Sequence, residues 1–137
     1  MSDPQATQSA LPMQYLLDVN ALLAAIWSNH PDHKKADAWL QGKQVVTCPL
    51  SELGFLRVST NPRALKSDMQ SARQLLEAFL NKHSARFLPA DLPALKSKAQ
   101  KSDQVTDQYL ADLALNQGMK LATLDTGITH PTTELII

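Results

Sequence analysis

The chain has 137 residues, of which 44% are hydrophobic and 19% are charged, which excludes general disorder and fits one globular domain. The 13 basic side chains of Lys and Arg balance the 13 acidic ones, so no net charge attracts the whole protein to nucleic acid or to a membrane surface. The single cysteine, Cys48, excludes an intrachain disulfide and a zinc site built on several thiolates, which fits a reducing compartment.

Residues 1–13 are predicted to form a flexible polar extension ahead of the fold. Their sequence lacks the basic start and the apolar core of a signal peptide. No apolar run in the chain approaches the length needed to cross a bilayer. We therefore expect a cytoplasmic protein with no membrane partner, and Met13 is an alternative to Met1 as the physiological start.

Residues 14–137 alternate between short apolar runs and amphipathic segments of helical period. This alternation predicts a single α/β domain, in which a mostly parallel central sheet of four or five strands is flanked by helices on both faces. Gly42 and Gly118 mark the ends of two helices, and Pro49 suits the first turn of a third. The predicted elements in chain order are strand 15–17, helix 20–27, helix 33–40, strand 45–47, helix 50–58, helix 67–81, strand 86–88, helix 103–116, strand 121–124 and strand 134–137.

Two aspartates, Asp18 and Asp125, directly follow predicted buried strands. The carboxyl ends of parallel strands form the ligand crevice of open α/β sheets, so both side chains are expected at one edge. Carboxylates held close repel each other unless a cation joins them, and a site of oxygen ligands favours Mg²⁺ or Mn²⁺ over zinc. The alternative is that each aspartate caps the helix that follows it.

Two further acids, Glu52 and Asp107, fall in the first turns of predicted helices that begin near the same crevice. Either of them could instead stabilise its helix N-terminus through the helix dipole. At 100° per residue, Asp107 lies on the flank of the predicted buried face of helix 103–116. That face consists of Val105, Tyr109, Leu110, Leu113 and Ala114, and the apolar side of helix 67–81 consists of Leu75, Leu76, Phe79 and Leu80.

Five stretches of the chain, in this order and at these intervals, resemble the PIN-domain ribonucleases and, within them, the VapC toxins of bacterial toxin–antitoxin pairs. The matching stretches are Leu17-Asp18-Val19-Asn20-Ala21-Leu22-Leu23, Thr47-Cys48-Pro49-Leu50-Ser51-Glu52-Leu53-Gly54-Phe55-Leu56-Arg57, Thr60-Asn61-Pro62, Val105-Thr106-Asp107-Gln108-Tyr109-Leu110 and Leu121-Ala122-Thr123-Leu124-Asp125. The resemblance implies a PIN-like fold over residues 14–137. It also implies a catalytic metal site formed by Asp18, Glu52, Asp107 and Asp125, with support from Asn20, Thr106 and Thr123.

The activity implied by the resemblance is hydrolysis of RNA phosphodiester bonds assisted by Mg²⁺ or Mn²⁺, with products that carry a 5′-phosphate and a 3′-hydroxyl. A bound divalent cation lowers the pKa of a coordinated water and stabilises the leaving oxygen in such reactions. The resemblance further implies a VapB-like antitoxin partner and a homodimer. Exposed apolar strips on the helices predicted at 20–27 and 67–81 would suit such protein contacts.

An acidic site repels RNA, so basic side chains are expected to flank it. Arg57 has a second interpretation, because its planar group could bind a partner's acid or a carboxylate of the site itself. The alternative for the whole set is an ordinary solvated surface. The candidate RNA or antitoxin contacts are Arg57, Arg63, Lys66, Lys96, Lys98 and Lys101.

Two other readings of the chain remain open. The first is a catalytically silent PIN-fold module that binds RNA or regulates without turnover, although all four acids are present. The second is a phosphotransferase or phosphatase that uses a strand-end aspartate as its nucleophile, and it is disfavoured because Asn20 stands where such enzymes carry a second acid. A metal site at His30 and His33 is also disfavoured, because no third ligand is close in sequence.

Overall fold

The computed structural model describes residues 13–128 and 130–137, and in them five strands form one sheet with every pairing parallel. The predicted extension therefore lies outside the described residues except for Met13, which is exposed. The strands are β1 (Gln14–Leu17), β2 (Gln44–Thr47), β3 (Arg86–Phe87), β4 (Lys120–Thr123) and β5 (Thr133–Leu135). Their order across the sheet is β3-β2-β1-β4-β5, so β1 and β4 are adjacent at the centre.

The helices connect these strands and agree with the predicted segments to within a few residues. Two short 3₁₀ turns, Ala94–Lys96 and Ser102–Gln104, precede the last helix. No helix among the described residues combines the length and apolarity that crossing a bilayer requires. The helices are α1 (Val19–Ile26), α2 (His33–Leu40), α3 (Pro49–Thr60), α4 (Met69–Lys82) and α5 (Val105–Asn116).

The central strand β1 contributes side chains to both faces of the sheet, because successive residues of a strand point in opposite directions. Leu17 packs into a core with residues of α1, α2, α3 and α4. Leu16 packs into a second core with residues of α5, including Leu110 and Leu113. The sheet is thus covered on both sides, and the predicted α/β/α arrangement is confirmed.

Two predicted helix faces are wrong in part. Val105 is 50% exposed because it is the first residue of α5 and follows the exposed turn Ser102–Gln104. The buried residues of α5 begin at Leu110. Leu75 is 38% exposed because the buried residues of α4 follow the spacing 72, 76 and 79. The predicted helix ends at Gly42 and Gly118 are confirmed, and both residues have the positive φ that glycine adopts without strain.

Candidate active site

Asp18 connects β1 to α1 and is almost completely buried, with 3% of its surface exposed. Its Oδ1 accepts a hydrogen bond from the backbone N–H of Ala21 at 2.7 Å, so it caps α1 as one alternative predicted. The pKa of this carboxyl is raised from 3.8 to about 6, mainly by burial and further by the negative charges of Asp107 and Asp125, against the lowering effect of its hydrogen bonds. Capping alone does not require such burial among like charges.

Asp125 stands at the same edge of the sheet as Asp18, because β1 and β4 are parallel neighbours with Leu17 paired to Ala122. The buried Thr123 hydroxyl accepts a hydrogen bond from the Asp125 backbone N–H at 3.0 Å, and its interaction with the Asp18 carboxyl lowers the pKa of that group. The exposed Asp125 carboxylate accepts a hydrogen bond from the N–H of Gly127 at 2.8 Å. It therefore forms a local turn, and the alternative of a helix cap is wrong for Asp125 because no helix follows it in the described residues.

Asp107 lies in the first turn of α5 and is half-buried, as its position on the flank of the helix predicts. Burial raises the pKa of its carboxyl, and the charge of Asp125 raises that pKa further. Together with the coupling to Asp18, this places three carboxylates from separate segments within electrostatic reach of one another. Two of the three, Asp107 and Asp125, line a cavity of about 280 Å³, whose other walls are Asp103, Gln104, Gln108, Gly127 and Ile128.

Glu52 lies in the first turn of α3, beside the end of β2, and its Oε2 accepts a hydrogen bond from the Thr47 hydroxyl at 2.7 Å. Thr47 is the last residue of β2 and is buried, so it fixes the carboxylate relative to the sheet. Glu52 is not among the charges that raise the pKa of Asp18. The charges of Asp107 and Asp125 therefore act on Asp18, and the fourth predicted acid lies at the neighbouring strand end.

The residues predicted to support the site occupy different environments. Thr123 bridges Asp18 and Asp125 as described above, whereas Thr106 is exposed in the first turn of α5. Asn20 lies on the opposite side of Asp125, where both residues line a cavity of about 370 Å³ with His30, Asp32 and Leu124.

Two residues of α3 that sequence reasoning left without a role hold this helix against the chain segment around Asp18. The buried hydroxyl of Ser51 donates to the carbonyl of Leu17 at 2.7 Å, directly before Asp18. Gly54 packs so closely on Val19 that an added Cβ would overlap the Val19 side chain. Residues three apart share one face of a helix, so the small side chains at 51 and 54 were a signal of a close helix contact.

The carboxylate cluster fits a hydrated divalent cation. Within residues 13–128 and 130–137, no three His, Cys, Asp or Glu side chains are grouped as the direct ligands of one ion. Mg²⁺ does not need three, because it usually keeps several waters and binds proteins through one or two carboxylates. Oxygen ligands of this kind also suit Mn²⁺. A buried carboxyl with a raised pKa beside two more acids is a group whose ionised form a cation would stabilise.

The predicted basic contacts are all exposed: Arg57, Arg63, Lys66, Lys96, Lys98 and Lys101. Arg57 forms no ion pair with any carboxylate of the described residues, so the structure does not bear out its predicted pairing with the site. His30 and His33 use their Nδ1 atoms in local hydrogen bonds with the backbone of Asp32 and Ala24, which fits structural roles.

Comparison with known proteins agrees with this geometry. The sequence profile of the PIN domain matches residues 15–132. Ribonuclease VapC38 of Mycobacterium tuberculosis is 39% identical over 121 residues, which cover 82% of this chain and 86% of that protein. Ribonuclease VapC39 of the same species is 32% identical over 127 residues, or 85% of this chain and 91% of the relative.

Solved structures share the fold at lower identity. VapBC2 from Rickettsia felis, crystallised with a DNA fragment from its promoter, has a TM-score of 0.60 at 15% identity and covers 90% of this chain and 97% of that one. FitAcB from Neisseria gonorrhoeae has a TM-score of 0.57 at 24% identity and covers 82% of this chain and 88% of that one. The chain therefore belongs to the PIN-domain family, and within it to the VapC group.

Proposed function

We propose that this protein is an endoribonuclease toxin that hydrolyses RNA phosphodiester bonds with Mg²⁺ or Mn²⁺ at the carboxylate cluster. One observation carries the proposal: the buried Asp18 has its pKa raised by burial and by the charges of Asp107 and Asp125. Such a site is costly to ionise without a cation, and it lies at the carboxyl ends of parallel strands, where α/β sheets bind their ligands. The relatives named as VapC ribonucleases support the choice of RNA as substrate.

Three of the four acids share one task in this proposal: Asp18, Asp107 and Asp125 hold the cation. Thr123 interacts with the Asp18 carboxyl and with the backbone N–H of Asp125, and so links these two residues. Glu52, held by Thr47, lies at the neighbouring strand end. A divalent cation, when bound, neutralises charge on the scissile phosphate and lowers the pKa of a bound water. Exposed lysines and arginines are proposed to bind the phosphates on either side of the cleaved bond.

A VapB-like antitoxin is proposed as the partner that neutralises this activity, and a homodimer in the cytoplasm is proposed as the form of the toxin. Support comes from the solved VapBC complexes that share the fold. Leu53, which is 61% exposed in α3 beside Glu52, gives a partner an apolar contact close to the site. Light scattering that detects only a monomer at high concentration would refute the homodimer.

The activity is tested by incubating the purified protein with structured RNA, with Mg²⁺ or Mn²⁺ and with EDTA. Wild type is expected to cleave only with a cation, and Asp18→Asn is expected to lose cleavage. Asp68→Asn is the matched control, because Asp68 caps α4 with the same 2.7 Å hydrogen bond but is exposed and distant in sequence from the other acids. Retained RNA binding without cleavage under every condition would favour the silent binding module instead.

A further inference from the structure

A third cavity, of about 570 Å³, opens on α5 near the carboxylate cluster. Gln108 follows Asp107 and lines this cavity as well as the one at the carboxylates, so the two share a wall on this helix. Asp112 lies five residues after Asp107 on α5, which is about 7.5 Å along the helix axis. A polymer bound at the carboxylates is therefore close enough to extend along α5 to this cavity.

The polar floor of the cavity is a carboxylate held in one orientation. Asp112 Oδ1 accepts hydrogen bonds from Gln108 Nε2 at 3.3 Å and from His130 Nε2 at 3.0 Å. The Thr132 backbone N–H donates to His130 Nδ1 at 3.2 Å. Because Nδ1 accepts this hydrogen bond, the neutral His130 ring carries its proton on Nε2. Oδ1 is thereby saturated, and Asp112 Oδ2 is the oxygen left to accept a hydrogen bond from a ligand.

The remaining walls suit a planar group with an anionic tail. Tyr109 is fixed by two hydrogen bonds of its hydroxyl with the backbone of Leu92, at 3.0 and 2.9 Å, so that wall is formed before any ligand binds. Leu115, 57% exposed, adds apolar surface. Two exposed lysines, Lys96 and Lys98, stand at the rim, where they would contact a phosphate.

We propose that this cavity is a nucleotide subsite that selects an RNA base with an exocyclic amino group next to the cleaved bond. The inference rests on the proposed ribonuclease function. Asp112 accepts a hydrogen bond from the amino group, as carboxylates do from cytosine N4, and Lys96 and Lys98 bind the adjoining phosphate. Uracil has a carbonyl where cytosine has its amino group, so its carbonyl oxygen and the Asp112 carboxylate oxygen would repel each other.

The test compares fluorescent cytidine and uridine hexamers, which differ in that group and hardly in size. Their binding is measured by anisotropy at low salt in EDTA, which prevents cleavage. Wild type is expected to bind the cytidine hexamer about tenfold more tightly, the value of one charge-assisted hydrogen bond. Asp112→Asn is expected to abolish the preference, and the double variant Lys96→Ala, Lys98→Ala to weaken both hexamers alike. Asp91→Asn and Lys34→Ala are exposed controls outside the cavity that should bind as wild type does.

Equal binding of the two hexamers by wild type, no binding of either, or a preference that survives in Asp112→Asn would overturn the subsite. So would variants that weaken only the binding of an antitoxin peptide. A purely structural Asp112 would change thermal stability but not base preference. The cleavage assay on structured RNA is independent: cleavage without base preference refutes the subsite alone, whereas Asp112-dependent preference without cleavage refutes the ribonuclease alone.

Discussion

Replacing Asp18 with Asn is expected to make the metal-free protein more stable near neutral pH. The Asp18 pKa is 3.8 in its ordinary state and about 6 in the fold, mainly because the carboxyl is buried. Between these values the folded chain retains a proton that the unfolded chain has lost, so the free energy of unfolding falls as pH rises. At about 1.4 kcal/mol per pKa unit, the free energy of unfolding above pH 6 is lower by about 3 kcal/mol than at acid pH. Asparagine cannot ionise and caps helices as well as aspartate does, so it avoids this loss.

The assay is urea unfolding in EDTA at a series of pH values from about 3 to 8. The Asp18→Asn variant should match wild type at the acid end and exceed it at the alkaline end by up to about 3 kcal/mol, or about 10 °C in melting temperature. Asp68→Asn is the control, because its effect on the free energy of unfolding should have the opposite dependence on pH. Hydrogen bonds from Ser71 lower the Asp68 pKa, so its charge stabilises the fold above the ordinary pKa and that stabilisation is lost as pH falls.

A variant Asp18→Asn that is no more stable than wild type at about pH 8 would refute the reasoning. It would mean that the Asp18 carboxylate is as well stabilised in the fold as in water, and that its main role is to cap α1. The same result would remove the reason for placing a cation beside Asp107 and Asp125. Equal pH profiles for Asp18→Asn and Asp68→Asn would lead to the same conclusion.

Three further results are expected. Mg²⁺ at about 100 times its dissociation constant should stabilise wild type by about 2.7 kcal/mol and Asp18→Asn much less, as measured by thermal unfolding. Gly54→Ala should lower the free energy of unfolding by about 1–3 kcal/mol, because the added methyl group overlaps Val19. In a double-mutant cycle measured by urea unfolding, Val19→Ala should restore part of the lost stability, and strictly additive effects of the two substitutions would refute the contact. Thr47→Val should reduce RNA cleavage about 10–100-fold by releasing Glu52, whereas Thr47→Ser should retain activity; equal loss in both would point to another role for the hydroxyl.

The fold could be predicted because its signals are local. The three central strands are short runs with buried apolar residues, the helices have apolar faces, and positive-φ glycines mark two helix ends. The meeting of Asp18 and Asp125 followed from a single topological rule, that parallel strands present their carboxyl ends together. It required only that β1 and β4 be neighbours, as they are.

The parts that could not be predicted depend on contacts between distant segments. The hydrogen bond from Ser51 to Leu17 joins residues 34 apart, and the pair of His130 and Asp112 joins residues 18 apart. The exposure of Val105 depends on which other segments cover the first turn of α5, and helical periodicity does not predict those contacts. Local patterns specify which face of a helix is apolar, but tertiary packing decides where along its length that face is buried.

Asp18 and Asp68 show why a sequence motif underdetermines the role of an aspartate. Both residues precede a helix, and both accept a 2.7 Å hydrogen bond from the N–H three residues on, so capping explains the two equally. Their environments differ: Asp68 is exposed with a lowered pKa, whereas Asp18 is buried and its pKa is raised partly by two other acids. A cap gains nothing from that burial, since serine or asparagine would cap without the cost of ionisation. The unfavourable environment of Asp18 is therefore the feature that supports the proposed metal-ligand role beyond capping, because a bound cation would make that environment favourable.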